Sequence, residues 1–135
     1  MPLDIKIKRS TAPHNQTTLT VELGGSLDTA TAPQLEKQLN AALDPSVHNL
    51  VFDLEKLTFI SSAGLRVFAA CRKFMKQQNE QVSFVHLQPQ IQEVFEIVKA
   101  LPGVSVFGSI AEFDTYIAAR QRKVLEDEAP SVGAA

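Results

Sequence analysis

The chain begins with two short stretches in which polar and apolar residues alternate. Residues 4–8 (DIKIK) and residues 18–23 (TLTVEL) both repeat every two residues, which is typical of strands with one buried face. The polar segment 12–16 (APHNQ) between them predicts a turn, so the two strands are expected to form a hairpin. Gly24 and Gly25 are predicted to end the second strand.

After this hairpin, amphipathic helical patterns alternate with short apolar runs, as expected when helices and strands alternate. The helices are predicted over residues 31–43, 62–78, 89–98 and 109–117. The apolar runs predict strands at residues 49–54, 82–87 and 104–107. A serine or threonine followed three residues later by Gln or Glu predicts a capping box, and this pattern occurs at Thr31 with Gln34 and at Ser109 with Glu112.

The order of the predicted elements is strand, strand, helix, and then strand and helix three times. This alternation predicts an α/β fold, with a mixed, mostly parallel sheet of about five strands and about four helices packed against it. The length of 135 residues suits one domain. Residues 126–135 (EDEAPSVGAA) carry no apolar pattern, so we expect a domain over residues 1–122 and a disordered tail over residues 123–135.

Composition and charge narrow the classes of function. A formal net charge of −2 lacks the basic excess that nucleic-acid binding usually requires. The single cysteine, Cys71, excludes an internal disulfide, and His14, His48 and His86 match no ligand spacing, so we predict neither a metal site nor a cofactor. The N-terminus lacks the apolar segment of a signal peptide, and no apolar run reaches the ~18 residues of a membrane span, so we expect a cytoplasmic protein without membrane contacts.

Residues 57–68 (LTFISSAGLRVF) place two serines where an apolar run gives way to a helix. Serine is a favoured N-cap, because its oxygen accepts a hydrogen bond from a free helix amide, which is worth about 1 kcal/mol. A cap explains one of Ser61 and Ser62. It does not explain Gly64 in the first turn, where glycine costs about 0.5–1 kcal/mol relative to alanine. A close approach by another backbone or by a partner, or a special turn, is therefore expected at Gly64.

Two functional interpretations of the serines compete with the cap. A catalytic nucleophile favours the pattern G-x-S-x-G, but Ile60 stands two residues before Ser62, and no histidine is placed to suggest a base. In a phosphorylation switch, a phosphoserine carries about −1.5 to −2 charges, which the free amides of a helix N-terminus favour. The fold would tolerate this phosphate, whereas a partner docked on the helix would not. We therefore favour a binding protein over an enzyme.

Two aspartates are predicted to lie near the serines. Asp28 follows the second strand, and Asp53 lies at the end of the run 49–54. Each of these strands feeds a helix, and functional groups in such folds often lie at the carboxyl ends of strands. We therefore expect both carboxylates at the same sheet edge as Ser61 and Ser62.

The motifs that hold these residues resemble a known family. The chain is similar, over residues 4–120, to a STAS domain (sulfate transporter and anti-sigma factor antagonist) of the bacterial anti-sigma factor antagonist type. The strongest motifs are GSLDTATA at residues 25–32 and VFDLEKLTFISSAGLRVF at residues 51–68. The resemblance implies a protein that binds an anti-sigma factor, itself a serine kinase with a histidine-kinase-like ATPase fold, and so frees a sigma factor. Phosphorylation by this kinase would end the binding, and a serine phosphatase would restore it.

The resemblance also implies roles for individual residues. Aligned on Gly64, the phosphorylated serine is Ser62; many family members carry aspartate where this chain has Ser61, which leaves Ser61 as the alternative acceptor. Asp53 is expected to shape the loop before the serines by accepting hydrogen bonds. The partner-binding surface is expected to comprise Asp28, Thr29, Ser61, Ser62, Gly64 and Arg66. The alternative function is a STAS scaffold or a subunit of a signalling complex, without control of a sigma factor.

Overall fold

The computed structural model describes residues 2–12, 16–100 and 110–128, which form one sheet and four helices. The strands are β1 (Leu3–Ala12), β2 (Gln16–Leu27), β3 (Val47–Ile60) and β4 (Gln81–Val85). The helices are α1 (Ala32–Ala42), α2 (Ser62–Gln77), α3 (Pro89–Ala100) and α4 (Ile110–Glu128). The strand order is β1-β2-β3-β4, in which β1 and β2 are antiparallel and the other neighbours are parallel. The predicted α/β class, the hairpin and the mixed, mostly parallel sheet are confirmed. The strand predicted at residues 104–107 and the cap predicted at Ser109 lie outside the described residues.

The two faces of the sheet differ, and this difference places the core. Alternate residues of the central strands are almost completely buried: Leu19, Val21, Leu23, Leu50, Phe52 and Leu54. The polar residues between them on β2 are half-buried: Thr18, Thr20 and Glu22. The predicted apolar stripes of the helices contribute these residues to the same core: Ala32, Leu35, Leu39, Val67, Phe68, Cys71, Met75, Ile91, Val94, Phe113 and Ile117. Val98, which was predicted to belong to the stripe of α3, is exposed instead. The helices therefore cover one apolar face of the sheet.

Strands β2 and β3 are longer than predicted. The predicted ends at Gly25 and Leu54 are wrong, because the strands continue to Leu27 and Ile60. The paired register shifts twice along this extension, and each shift is typical of a β-bulge, in which one strand carries an extra residue. Gly25 has a φ of 90°, a left-handed conformation that glycine adopts without strain. Gly25 therefore takes this conformation within β2, and the strand continues past it.

Helix α1 begins with a different cap from the predicted one. Thr31 occupies the N-cap position, but the capping box with Gln34 is wrong. The Thr31 hydroxyl lies 2.8 Å from the Ser26 carbonyl oxygen and accepts a hydrogen bond from the Asp28 N–H at 2.9 Å. The Asp28 carboxylate accepts hydrogen bonds from the N–H groups of Ala30 at 3.0 Å and Thr31 at 3.1 Å. Asp28 thus closes the turn that leads from β2 into α1.

Helix α4 extends past the predicted domain boundary. It continues to Glu128, so the boundary at residue 122 falls within a helix and the expected tail cannot start at residue 123. Residues 129–135 lie outside the described residues. In the described part of the chain, the helices are too short or too polar to span a membrane.

Candidate functional site

The candidate site lies where parallel strands β2 and β3 end side by side. Leu27 pairs with Ile60, and the N–H of Ser61 donates to the Leu27 carbonyl oxygen at 2.9 Å. The residues that follow the two strands, Asp28 and Ser61, therefore lie at the same edge, as expected from their topology. Asp53 does not, because it is paired with Glu22 well inside the extended β3.

Ser61 and Ser62 begin helix α2, and both are covered. Ser61 is the N-cap residue in extended conformation, and its carbonyl oxygen accepts a hydrogen bond from the Leu65 N–H at 3.0 Å. The predicted side-chain cap is wrong, because neither serine hydroxyl contacts a helix amide: within the described residues, both Oγ atoms are buried without a hydrogen-bond partner. The exposed fractions are only 7% for Ser61 and 4% for Ser62.

Gly64 allows helix α2 to approach the ends of both strands. A Cβ atom at this position would lie 2.6 Å from Leu27 Cγ and 3.0 Å from Ile60 Cγ1, which is closer than carbon atoms pack. Gly64 is therefore closely packed, but its neighbours are core side chains and not the backbone or partner that was predicted. Gly64 is buried against these side chains, and its place on the partner-binding surface stays a prediction.

Helix α4 supplies the polar groups that cover this junction. The Asp114 carboxylate accepts a hydrogen bond from the Ser62 N–H at 2.7 Å. The Gln121 side chain accepts from the Ile60 N–H at 2.9 Å and donates to the Ile60 carbonyl oxygen at 2.7 Å. Asp114 thus satisfies an amide at the helix N-terminus, and Gln121 satisfies both backbone groups at the end of β3.

Asp114 and Gln121 are not among the functional residues predicted from the sequence. Gln121 is only 1% exposed, and it follows Phe113 and Ile117 at intervals of four residues. A polar residue at a position of an apolar helical stripe therefore indicates a side chain that forms hydrogen bonds inside the core. Asp114 does not lie on this stripe, so no comparable signal pointed to it.

A groove of about 500 Å³ runs between α1 and α2, next to the serines. The apolar side chains of Leu39 and Val67 and the thiol of Cys71 line part of the groove. The polar or charged side chains of Thr29, Glu36 and Arg66 line another part. Thr29 and Arg66, both predicted as partner contacts, are exposed here. Burial, with a smaller effect of the Glu36 charge, raises the pKa of Cys71 to about 11, so this thiol is neutral near pH 7 and a poor nucleophile.

Asp53 forms a separate polar cluster. Its carboxylate accepts a hydrogen bond from the Glu55 N–H at 3.1 Å and lies 3.1 Å from His86 Nδ1. Burial opposes the charged form, but the bond from Glu55 and the contact with His86 together lower the pKa of the Asp53 carboxyl. Possible ligand atoms of Asp53, Glu55 and His86 lie within 4.8 Å of one another, and Glu55 and His86 are exposed. Asp53 accepts hydrogen bonds as expected, but it does so at a bulge of β3 and not in a loop before the serines.

The fold and this edge define a small α/β domain with paired serines at the start of its second helix. The sequence profile described as STAS domain matches residues 9–113, and the chain belongs to the STAS domain family. The fold recurs in SpoIIAA in its unphosphorylated form, with a TM-score of 0.57, 18% identity, and coverage of 70% of this chain and 83% of that one. The phosphorylated form of Bacillus SpoIIAA gives a TM-score of 0.54 at 17% identity, with coverage of 70% and 82%.

Two curated relatives are named as anti-sigma factor antagonists. BtrV of Bordetella bronchiseptica is 41% identical over 75 residues, which cover 56% of this chain and 65% of BtrV. The anti-sigma-B factor antagonist of Staphylococcus aureus is 29% identical over 77 residues, which cover 57% of this chain and 71% of the relative. The matched stretch thus spans about two thirds of the relatives' length.

Proposed function

We propose that the chain is an anti-sigma factor antagonist switched by phosphorylation of Ser62. It binds an anti-sigma factor that is also a serine kinase with a histidine-kinase-like ATPase fold, and this binding frees the sigma factor. Phosphorylation of Ser62 ends the binding, and a serine phosphatase restores it. Family membership and the names of the relatives support this class of function, which is regulatory and not enzymatic.

The observation that carries the proposal is the position of Ser62 beside the exposed groove. Ala63 and Arg66, which follow Ser62 in α2, both line the groove, as does Thr29 after β2. A partner seated between α1 and α2 would therefore lie next to Ser62. A phosphate adds about −1.5 to −2 charges at this position, which the helix N-terminus accepts and a partner with acidic or apolar groups there does not.

Phosphate mapping and binding measurements test the proposal together. Incubation with the cognate kinase and ATP is expected to place phosphate on Ser62, as read by mass spectrometry. Ser62→Ala is expected to keep the affinity of the unmodified protein in calorimetry, whereas Ser62→Asp is expected to bind at least about tenfold more weakly. Ser61→Ala is the matched control, because it removes the neighbouring hydroxyl and leaves the proposed acceptor. The proposal fails if Ser62→Asp binds as tightly as wild type and no phosphate is found on Ser61 or Ser62.

The burial of both serines favours a second candidate function. A domain with covered hydroxyls, and with Ser61 where relatives of the implied type often carry aspartate, suits a scaffold or a signalling-complex subunit that does not control a sigma factor. Sedimentation at several concentrations separates the two candidates. A concentration-dependent increase in mass supports the self-assembling scaffold, and a strict monomer argues against it.

A further inference from the structure

Helix α4, which is remote from Ser61 and Ser62 in sequence, is docked on the backbone of the junction that holds them. Three polar contacts hold α4 at this position: Asp114 to the Ser62 N–H at 2.7 Å, and Gln121 to the Ile60 N–H and carbonyl oxygen at 2.9 and 2.7 Å. Each contact replaces one that water would otherwise make to an orphan backbone group. The docked helix thus satisfies the backbone of the junction.

The same docked position leaves the side chains of the junction unsatisfied. Within the described residues, Ser61 Oγ and Ser62 Oγ are buried with no hydrogen-bond partner. A buried hydroxyl without a partner destabilises the state that buries it, because water would bond it in the open state. Docking of α4 is therefore favoured by its hydrogen bonds to the backbone and opposed by the burial of two hydroxyls without partners.

From these contacts we infer that α4 gates Ser62, and that docked Asp114 and phosphorylated Ser62 exclude each other. The inference rests on the proposed phosphorylation of Ser62. In that transfer Ser62 Oγ attacks the γ-phosphorus of ATP, the bond to the β,γ-bridging oxygen breaks, and ADP leaves. The hydroxyl proton passes to a base of the kinase. Ser62 is only 4% exposed and its Oγ is buried, so the junction must open before this hydroxyl can reach a nucleotide in another protein, and α4 is docked on that junction through Asp114.

The phosphorylated state then keeps α4 away from the junction. Asp114 is bonded to the backbone N–H of the same residue that would carry the phosphate. A phosphate with about −1.5 to −2 charges and a carboxylate at one helix terminus repel each other and compete for the same amides. Displacement of α4 is thus the structural change that the modification would produce.

Thiol labelling measures the gate without any kinase. Ser62→Cys in a Cys71→Ala background places the only thiol under α4, and its alkylation rate reports the opening of the junction. Asp114→Ala is expected to raise this rate at least about threefold, whereas Asp127→Ala, which removes an exposed carboxylate at the far end of α4, is expected to leave it unchanged. Asp114→Asn keeps an acceptor oxygen at this position, so it is the variant to measure in case Asp114→Ala does not fold. Equal rates in wild-type, Asp114→Ala and Asp114→Asn backgrounds overturn the gate.

Hydrogen exchange and phosphorylation kinetics on the full chain separate this inference from the proposed function. Phosphorylation of Ser62 is expected to increase exchange in residues 110–121, and Asp114→Ala is expected to be phosphorylated faster than Asp127→Ala. If the kinase modifies neither serine in any variant, the proposed function fails, and labelling alone decides whether the gate exists. If Ser62 is phosphorylated while exchange in residues 110–121 is unchanged, the gate fails and the proposed function stands.

Discussion

The side-chain amide of Gln121 bonds both backbone polar groups of Ile60, the last residue of β3, at 2.9 and 2.7 Å. Gln121→Leu replaces this amide with an apolar side chain of similar size and leaves both backbone groups buried without these partners. We expect it to lower the free energy of unfolding by about 3 kcal/mol, because each unsatisfied buried group costs about 1–3 kcal/mol. Urea unfolding measures the change.

Gln92→Leu is the matched control for this substitution. Gln92 is exposed on α3, so the same chemical change there is expected to stay within about 0.5 kcal/mol. Equal effects of the two substitutions would show that the Gln121 contacts do not hold α4 to the end of β3.

Gly64 and Leu27 test the close packing of α2 on the strands. Gly64→Ala would place a Cβ 2.6 Å from Leu27 Cγ, so we expect it to destabilise the fold by about 1–3 kcal/mol. An alanine without this contact would instead stabilise a helix. In the double variant with Leu27→Ala, the Cβ that Gly64→Ala adds occupies the space that the Leu27 side chain vacates. The loss of stability in the double variant is therefore expected to be smaller than the sum of the losses in the two single variants. Strict additivity in chemical denaturation would contradict the steric explanation.

The parts of the fold that follow from local periodicity were predictable. The hairpin and the apolar stripes of the helices depend on residue spacing, and they occur where the pattern placed them. The extension of β3 was not predictable in this way, because its bulges bring exposed Glu55 and Lys56 into a strand. The position of α4 at Ser62 was not predictable either, because the hydrogen bond from the Ser62 N–H to Asp114 joins elements that are far apart in sequence.

The Asp53 carboxyl makes stability depend on pH. Its lowered pKa means that the folded state favours the charged form more than the unfolded chain does. The resulting stability is fully present above the unfolded pKa of about 3.9 and is lost as pH falls through the lowered folded pKa. We therefore expect Asp53→Asn to cost about 1 kcal/mol at pH 7 and progressively less below pH 4.

Urea unfolding of this variant at several pH values measures the effect, and Asp127→Asn, at an exposed carboxylate of α4, is the control. A loss for Asp53→Asn that is the same at pH 7 and pH 3 would mean that the contacts with Glu55 and His86 do not favour the charged carboxylate.

Arg66 tests whether the groove between α1 and α2 is the partner surface. It is exposed on the groove wall, so Arg66→Glu reverses a charge at the surface without disturbing the core. We expect binding to the cognate anti-sigma factor to weaken at least about tenfold, because like charges that face each other across an interface cost up to several kcal/mol. Arg72→Glu makes the same change on the same helix outside this groove, and it is expected to leave the affinity within about twofold. Calorimetry measures the affinity of both variants, and urea unfolding checks that their stability is unchanged. Equal losses of affinity would indicate a general charge effect. No loss for Arg66→Glu would place the partner surface elsewhere.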